Sequence, residues 1–278
     1  MTYLSANDTH TMKRVFVTAI IGFLLIAGLH DVYSRPGPPD ISGLFEARIH
    51  TSDRNGSMPY RLMKPAGYDK TKKYPLVLFL HGAGERGTDN RKQLVVGLNI
   101  FANPKRIDHY PCFIAAPQCP ENDKWADVDW EAERHVMKDR PTRSLSMALE
   151  IVGELLKEFP IDPDRLYIIG YSMGGFGTWD AIQRYPGLFA AAVPVCGGGD
   201  ETAAGRIIHV PIWAFHGALD NIVMVSRSRN MVNAIIKAGG VPRYTEYPVI
   251  NHFCWGLAFS DRAMLEWLFC KNKSSRPH

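Results

Sequence analysis

The segment Leu166 to Trp179, LYIIGYSMGGFGTW, restricts the fold more than any other part of the chain. Leu166, Tyr167, Ile168 and Ile169 form a short apolar run of the kind buried on both faces in a parallel sheet, and the run stops at Gly170. Gly170-Tyr171-Ser172-Met173-Gly174 then fits the pattern G-x-S-x-G, and the residues beyond it suit the start of a helix. A serine on so sharp a strand-to-helix turn has backbone close on both sides, and glycines two positions away remove the side chains that would collide. The spacing predicts that Ser172 points outward at the end of a strand with a helix N-terminus behind it. The amide of Met173 then faces a place where negative charge can develop during attack on a carbonyl. The competing reading is a tight connection carrying an ordinary serine, and partners elsewhere in the chain separate the two.

A chain of 278 residues, 46% hydrophobic and 22% charged, has material for one large core and is read as a single domain. The net charge is only +4, with no lysine- or arginine-rich block interleaved with aromatics, so nucleic acid is not an expected partner. The N-terminus has its own pattern. Lys13-Arg14 precede the apolar stretch Val15 to Leu29, and cleavage after Ser34 completes the layout of an export signal over residues 1–34. If translation begins at Met12, residues 1–11 are an upstream extension. Residues 35–41, opening Arg35-Pro36-Gly37-Pro38-Pro39, read as a linker, and residues 42–278 as the domain. The expected location is secreted or periplasmic, with no membrane contact in the mature form; an uncleaved anchor is the alternative. Five cysteines are an odd number, and none has metal-ligand spacing, so no metal is expected. An exported chain allows one bridge or two, and the spacing does not choose between pairings.

The remaining periodicities describe strands alternating with helices. Leu44 to His50 and Pro59 to Met63, joined by the turn-rich residues 51–56, predict an antiparallel hairpin at a sheet edge. Apolar strands are expected at Tyr74 to Leu80, Cys112 to Ala116, Phe189 to Val195 and Ile212 to Phe215, and a last strand at Arg243 to Val249. Residues 88–110 read as a polar helix and loop. Leu145, Leu149, Val152, Leu156 and Phe159 recur at helical spacing, giving a helix from Thr142 to Phe159 that Pro160 stops. Further helices are expected from Gly174 to Tyr185, around Met231 to Ala238, and around Met264 to Leu268. The sum is an α/β fold: a mostly parallel central sheet with an antiparallel edge hairpin and helices on both faces. Pro117 to Pro141 has no clear period, and a long irregular connection of this kind often borders a site. Trp125 is therefore expected beside a pocket, against the alternative that it and Trp130 cap the core.

Loops at the ends of the strands carry the candidate chemistry. His81-Gly82-Ala83-Gly84-Glu85-Arg86-Gly87 matches neither a Walker loop nor the dinucleotide fingerprint, so a phosphate cradle is not expected. His81 is read as a structural support for this loop, and Glu85 and Arg86 as a local brace. Asp220, in the loop after one strand, suits a carboxylate that fixes a histidine tautomer; Asp200 after the preceding strand is the rival. His252 follows the last strand and is the candidate general base. The order Ser172, Asp220, His252 is the order expected where strand-end loops assemble a nucleophile, acid and base.

With these segments in view, the chain resembles the α/β-hydrolase superfamily. More narrowly, it is similar to the predicted peptidase or esterase group related to polyhydroxybutyrate depolymerases, feruloyl esterases and acetyl xylan esterases. The resemblance covers about residues 42 to 270 and rests on LFLHGAGERG, APQCP with the later Trp125, RLYIIGYSMGGFGTW, CGGGD, PIWAFHGALD and the segment His252 to Trp255. It implies that Ser172, Asp220 and His252 form a catalytic triad and that Ala83 and Met173 supply an oxyanion hole, with Gly82 an alternative donor. It implies no metal or organic cofactor. The implied substrates are small or polysaccharide-linked esters, carbohydrate or aryl esters first, with Trp125 and Trp255 placed to stack on sugar or aryl groups. A serine peptidase, an acyltransferase and a non-catalytic binding protein on the same fold are the other readings.

Overall fold

The computed structural model describes residues 40–275. The expected export signal and residues 35–39 of the linker lie outside the described residues. Ile41, at the far end of that linker, is buried in the same cluster as Phe45, so the last linker residue is packed into the core.

Eight strands form one sheet in the order β1-β2-β4-β3-β5-β6-β7-β8. They are β1 (Glu46–Ser52), β2 (Gly56–Met63), β3 (Tyr74–Leu80), β4 (Phe113–Pro117), β5 (Ile161–Tyr171), β6 (Ala191–Val195), β7 (Trp213–Gly217) and β8 (Arg243–Tyr247). The hairpin β1-β2 joins the sheet antiparallel through β4, and every pairing from β4 to β8 is parallel. The reason is legible in the side chains: every residue of β3, β4 and β6 is buried, as strands covered on both faces require.

The helices are α1 (Asn99–Ala102), α2 (Pro104–His109), α3 (Arg143–Glu158), α4 (Met173–Arg184), α5 (Ser226–Lys237), α6 (Trp255–Ser260) and α7 (Arg262–Phe269). Residues 88–110, expected as a polar helix and loop, hold a 3-10 turn and two short helices. Apolar side chains of α3, α4 and α5 pack one face of the sheet, and those of α1, α6 and α7 pack the other. Helix α3 begins where the Thr142 hydroxyl accepts from the Leu145 amide at 3.1 Å, and it buries Leu145, Ala148, Ile151, Val152 and Leu155 at spacings of three and four.

The edge strand β1 is tied to α3 by side-chain contacts of His50. Both ring nitrogens of His50 face carboxylates of α3, Glu154 at 3.0 Å and Glu150 at 2.8 Å. A buried side chain anchored to a helix shields part of an edge that would otherwise offer free backbone groups. Parallel pairing from β3 to β8 brings the loops after β3, β5, β6, β7 and β8 to the same edge of the sheet. Those loops carry the candidate site.

Candidate active site

Ser172 sits between β5 and α4 at φ 54° and ψ −119°, a left-handed conformation that a side-chain-bearing residue adopts only when its surroundings enforce it. The enforcement is visible. A Cβ on Gly170 would lie 2.2 Å from the Gly174 carbonyl oxygen, and one on Gly174 would lie 2.0 Å from that of Leu80. Only glycine fits at either place. The Ser172 amide is held by the Val195 carbonyl at 2.9 Å, which registers the turn against β6. The hydroxyl is thereby presented at the sheet edge, with the first turn of α4 behind it.

His252 Nε2 lies 2.9 Å from Ser172 Oγ, and its Nδ1 lies 2.7 Å from Asp220 Oδ2. Three residues from separate strand-end loops therefore meet in one hydrogen-bonded line. Asp220 is 9% exposed and His252 5%. Burial by itself would raise the Asp220 pKa. Hydrogen bonds from His216 and His252 and from the amides of Ile222 and Val223 together outweigh it, and they hold the carboxyl well below the usual carboxylate range. The carboxylate is ionised throughout the pH range in which a histidine can act as a base. The rival Asp200 is committed elsewhere: its oxygens accept from the Met137 and Thr202 amides, and it caps the 3-10 turn Glu201–Ile207.

The loop after β3 is braced from beneath. The Cys119 amide donates to His81 Nε2 at 3.0 Å, so the proton is on Nδ1, which donates to the Gly82 carbonyl at 2.6 Å. Complete burial lowers the His81 pKa to about 4, and the ring is neutral at pH 7. Glu85 and Arg86 each bond to neighbours instead of to each other. Glu85 accepts from the Tyr171 hydroxyl at 2.6 Å, and Arg86 donates to the carbonyls of Ala83 and Glu121. Ala83 opens the 3-10 turn Ala83–Glu85 and Met173 opens α4, so the hydrogen bonding of neither element uses their amides.

The two tryptophans part company. Trp125 is wholly buried, with Nε1 donating to the His81 carbonyl at 3.0 Å and its Cβ packed where Gly177 leaves room. It is a support of the loop after β3, and the expectation that it lines a pocket is corrected: an indole needs a deep apolar seat, and the core offers one. Trp255 is half-buried and stands with its ring edge-on to His252 at 5.4 Å and 4.9 Å from Tyr171. It also walls a cleft of about 350 Å³ with Val95, Gly97, Ile100 and Phe259.

Sequence reasoning missed His216. Its ring is fully buried, its Nε2 lies 3.1 Å from the same Asp220 oxygen that His252 uses, and its Nδ1 lies 2.8 Å from Ser228 Oγ. The spacing of four residues between His216 and Asp220 across a tight turn was the available signal. All five cysteines carry free thiols, so no bridge of the kind an exported chain allows is formed.

A mostly parallel sheet flanked by helices on both faces, with a strained serine at the β5–α4 turn, defines the α/β-hydrolase class. Within it, residues 68–262 match the phospholipase/carboxylesterase family, and the chain belongs to that family. Among solved structures it is similar to a thermostable esterase, at 41% identity and a TM-score of 0.78, over 84% of this chain and 64% of that one. It is 26% identical over 241 residues to an uncharacterized secreted protein of Arthroderma benhamiae, covering 74% of this chain and 25% of that protein. It is 32% identical over 83 residues to a bifunctional acetylxylan esterase/xylanase of Neocallimastix patriciarum, covering 30% of this chain and 12% of that enzyme. The chain thus spans less than two thirds of each of these proteins.

Proposed function

We propose that this protein is a serine esterase that hydrolyses carboxylic esters through an acyl-enzyme, with Ser172 as nucleophile, His252 as general base and Asp220 as the orienting acid. The single observation that carries the reading is the unbroken line from Asp220 Oδ2 through His252 to Ser172 Oγ, at 2.7 and 2.9 Å. With Nδ1–H donated to Asp220, His252 Nε2 is free to accept the proton of Ser172 as Oγ attacks the carbonyl carbon. The carbonyl oxygen becomes an oxyanion beside the amides of Met173 and Ala83, each worth about 3 kcal/mol of barrier. His252 returns the proton to the departing alkoxide. Water then repeats the sequence on the acyl-enzyme and frees Ser172.

The preferred natural substrates are carbohydrate- or aryl-linked esters. Support comes from the acetylxylan esterase among the relatives and from Trp255, whose half-buried ring stands next to His252. Export is part of the proposal, supported by Lys13-Arg14 ahead of the apolar stretch. The test is turnover of p-nitrophenyl acetate by the wild-type protein and by Ser172→Ala and His252→Ala. Unchanged turnover in either variant removes the mechanism. A panel of acetyl, feruloyl, longer acyl and peptide substrates, compared by kcat/KM, then tests the substrate class; preference for the peptides would overturn it.

A further inference from the structure

Cys196 lies beside the triad and takes no part in the chemistry above. It follows β6 at φ 40°, is fully buried, and is held there by its amide, which donates to the Phe215 carbonyl at 2.8 Å. Its Sγ, a carboxylate oxygen of Asp220 and a ring nitrogen of His252 all lie within 4.8 Å of one another. A second thiol, that of Cys254, packs against it. Thiolate, imidazole and carboxylate are the donors that zinc takes, and around a tetrahedral ion they stand roughly 3.3–3.8 Å apart. His252 Nδ1 and Asp220 Oδ2 stand at 2.7 Å, so an ion shared with Cys196 draws these two apart as it enters.

We propose that Cys196, Asp220 and His252 form an inhibitory site for a thiophilic divalent cation such as zinc, with water in the fourth position. The thiol proton is released to solvent as the ion binds. The nitrogen of His252 that faces Asp220 is Nδ1, so the ion takes the place of the proton shared between those two residues. That proton moves to Nε2, which then donates toward Ser172 Oγ and has no lone pair to accept from it. The site therefore silences the serine by imposing the wrong histidine tautomer, without touching Ser172. Metal binding follows from the donor cluster alone; its inhibitory effect rests on the triad reading given above.

The experiment has two arms. In the first, the full chain is assayed with p-nitrophenyl acetate over a zinc titration in metal-free buffer, with a chelator added at the end. Wild-type activity falls and returns with the chelator, and Cys196→Ser, measured against its own zinc-free rate, needs about tenfold or more zinc for the same fractional loss. Equal zinc sensitivity in both proteins, or no inhibition of wild type, overturns the inhibitory role. In the second arm, Ser172→Ala is titrated with cadmium and followed by sulfur-to-metal charge-transfer absorption. This arm needs no turnover, so it separates failure of the metal site from failure of the esterase reading. Absorption that saturates at one equivalent, and is lost in Ser172→Ala/Cys196→Ser, supports the site; no absorption, or absorption unchanged by loss of Cys196, refutes it.

Discussion

Asp220→Asn is the most informative single change, because the structure dictates where the new amide must go. Oδ1 of Asp220 accepts from two backbone amides, Ile222 and Val223, both at 2.9 Å, so an –NH2 group cannot occupy that position. It is forced to the Oδ2 position, where it faces His252 Nδ1 at 2.7 Å and His216 Nε2 at 3.1 Å. Donor then meets donor on the histidine side. The least costly relief is for His252 to move its proton to Nε2, the tautomer that cannot take a proton from Ser172. In a serine triad this tautomer costs roughly 10⁴ in kcat, which is about 5 kcal/mol of barrier. The assay is kcat/KM for p-nitrophenyl acetate, with urea unfolding as a control for folding; Asp200→Asn, whose carboxylate is bonded to Met137 and Thr202, serves as the matched acid and stays near the wild-type rate. A folded Asp220→Asn protein retaining more than about a tenth of wild-type kcat/KM, or an Asp200→Asn protein that is as slow, refutes the assignment.

Ser172→Gly abolishes turnover yet is expected to stabilise the fold by about 1 kcal/mol relative to Ser172→Ala, because only glycine is unstrained at φ 54°; urea midpoints at constant slope check it. Trp125→Phe loses the hydrogen bond to the His81 carbonyl and part of a filled core site, so it lowers stability by about 2 kcal/mol and reduces kcat more than it raises KM; a raised KM with unchanged stability would return Trp125 to the pocket. Acid should weaken the protein through His81. Its folded pKa is lowered to about 4 against an ordinary 6.5, so between these values the unfolded chain binds a proton that the folded one refuses. The contribution is whole above pH 6.5 and is lost as pH falls toward 4, at most about 3 kcal/mol. His81→Gln should flatten stability measured by urea titration over that window, and an unchanged slope would show that His81 protonates freely in the fold.

The chain by itself determined the alternation of strands and helices, since apolar runs such as Tyr74 to Leu80 and the spacing of Leu145, Val152 and Leu156 are set by local periodicity. It also fixed the candidate nucleophile, because glycines at 170 and 174 are needed wherever backbone approaches a serine this closely. Residues 88–110 and 117–141 were harder, having no period to read: their conformations follow from side chains such as Trp125 finding partners far along the chain. Composition places an indole near a site or in a core with equal ease, and only packing chooses. The same holds for what the strand-end loops bring together. The preference for Asp220 over Asp200 was already legible in the order of the loops, whereas the second histidine at position 216 and the thiol of Cys196 within 4.8 Å of Asp220 and His252 were decided by the tertiary structure alone. Periodicity describes each residue's relation to its neighbours in sequence; these contacts exist because parallel strands deliver loops from positions 172, 196, 220 and 252 to one edge of one sheet.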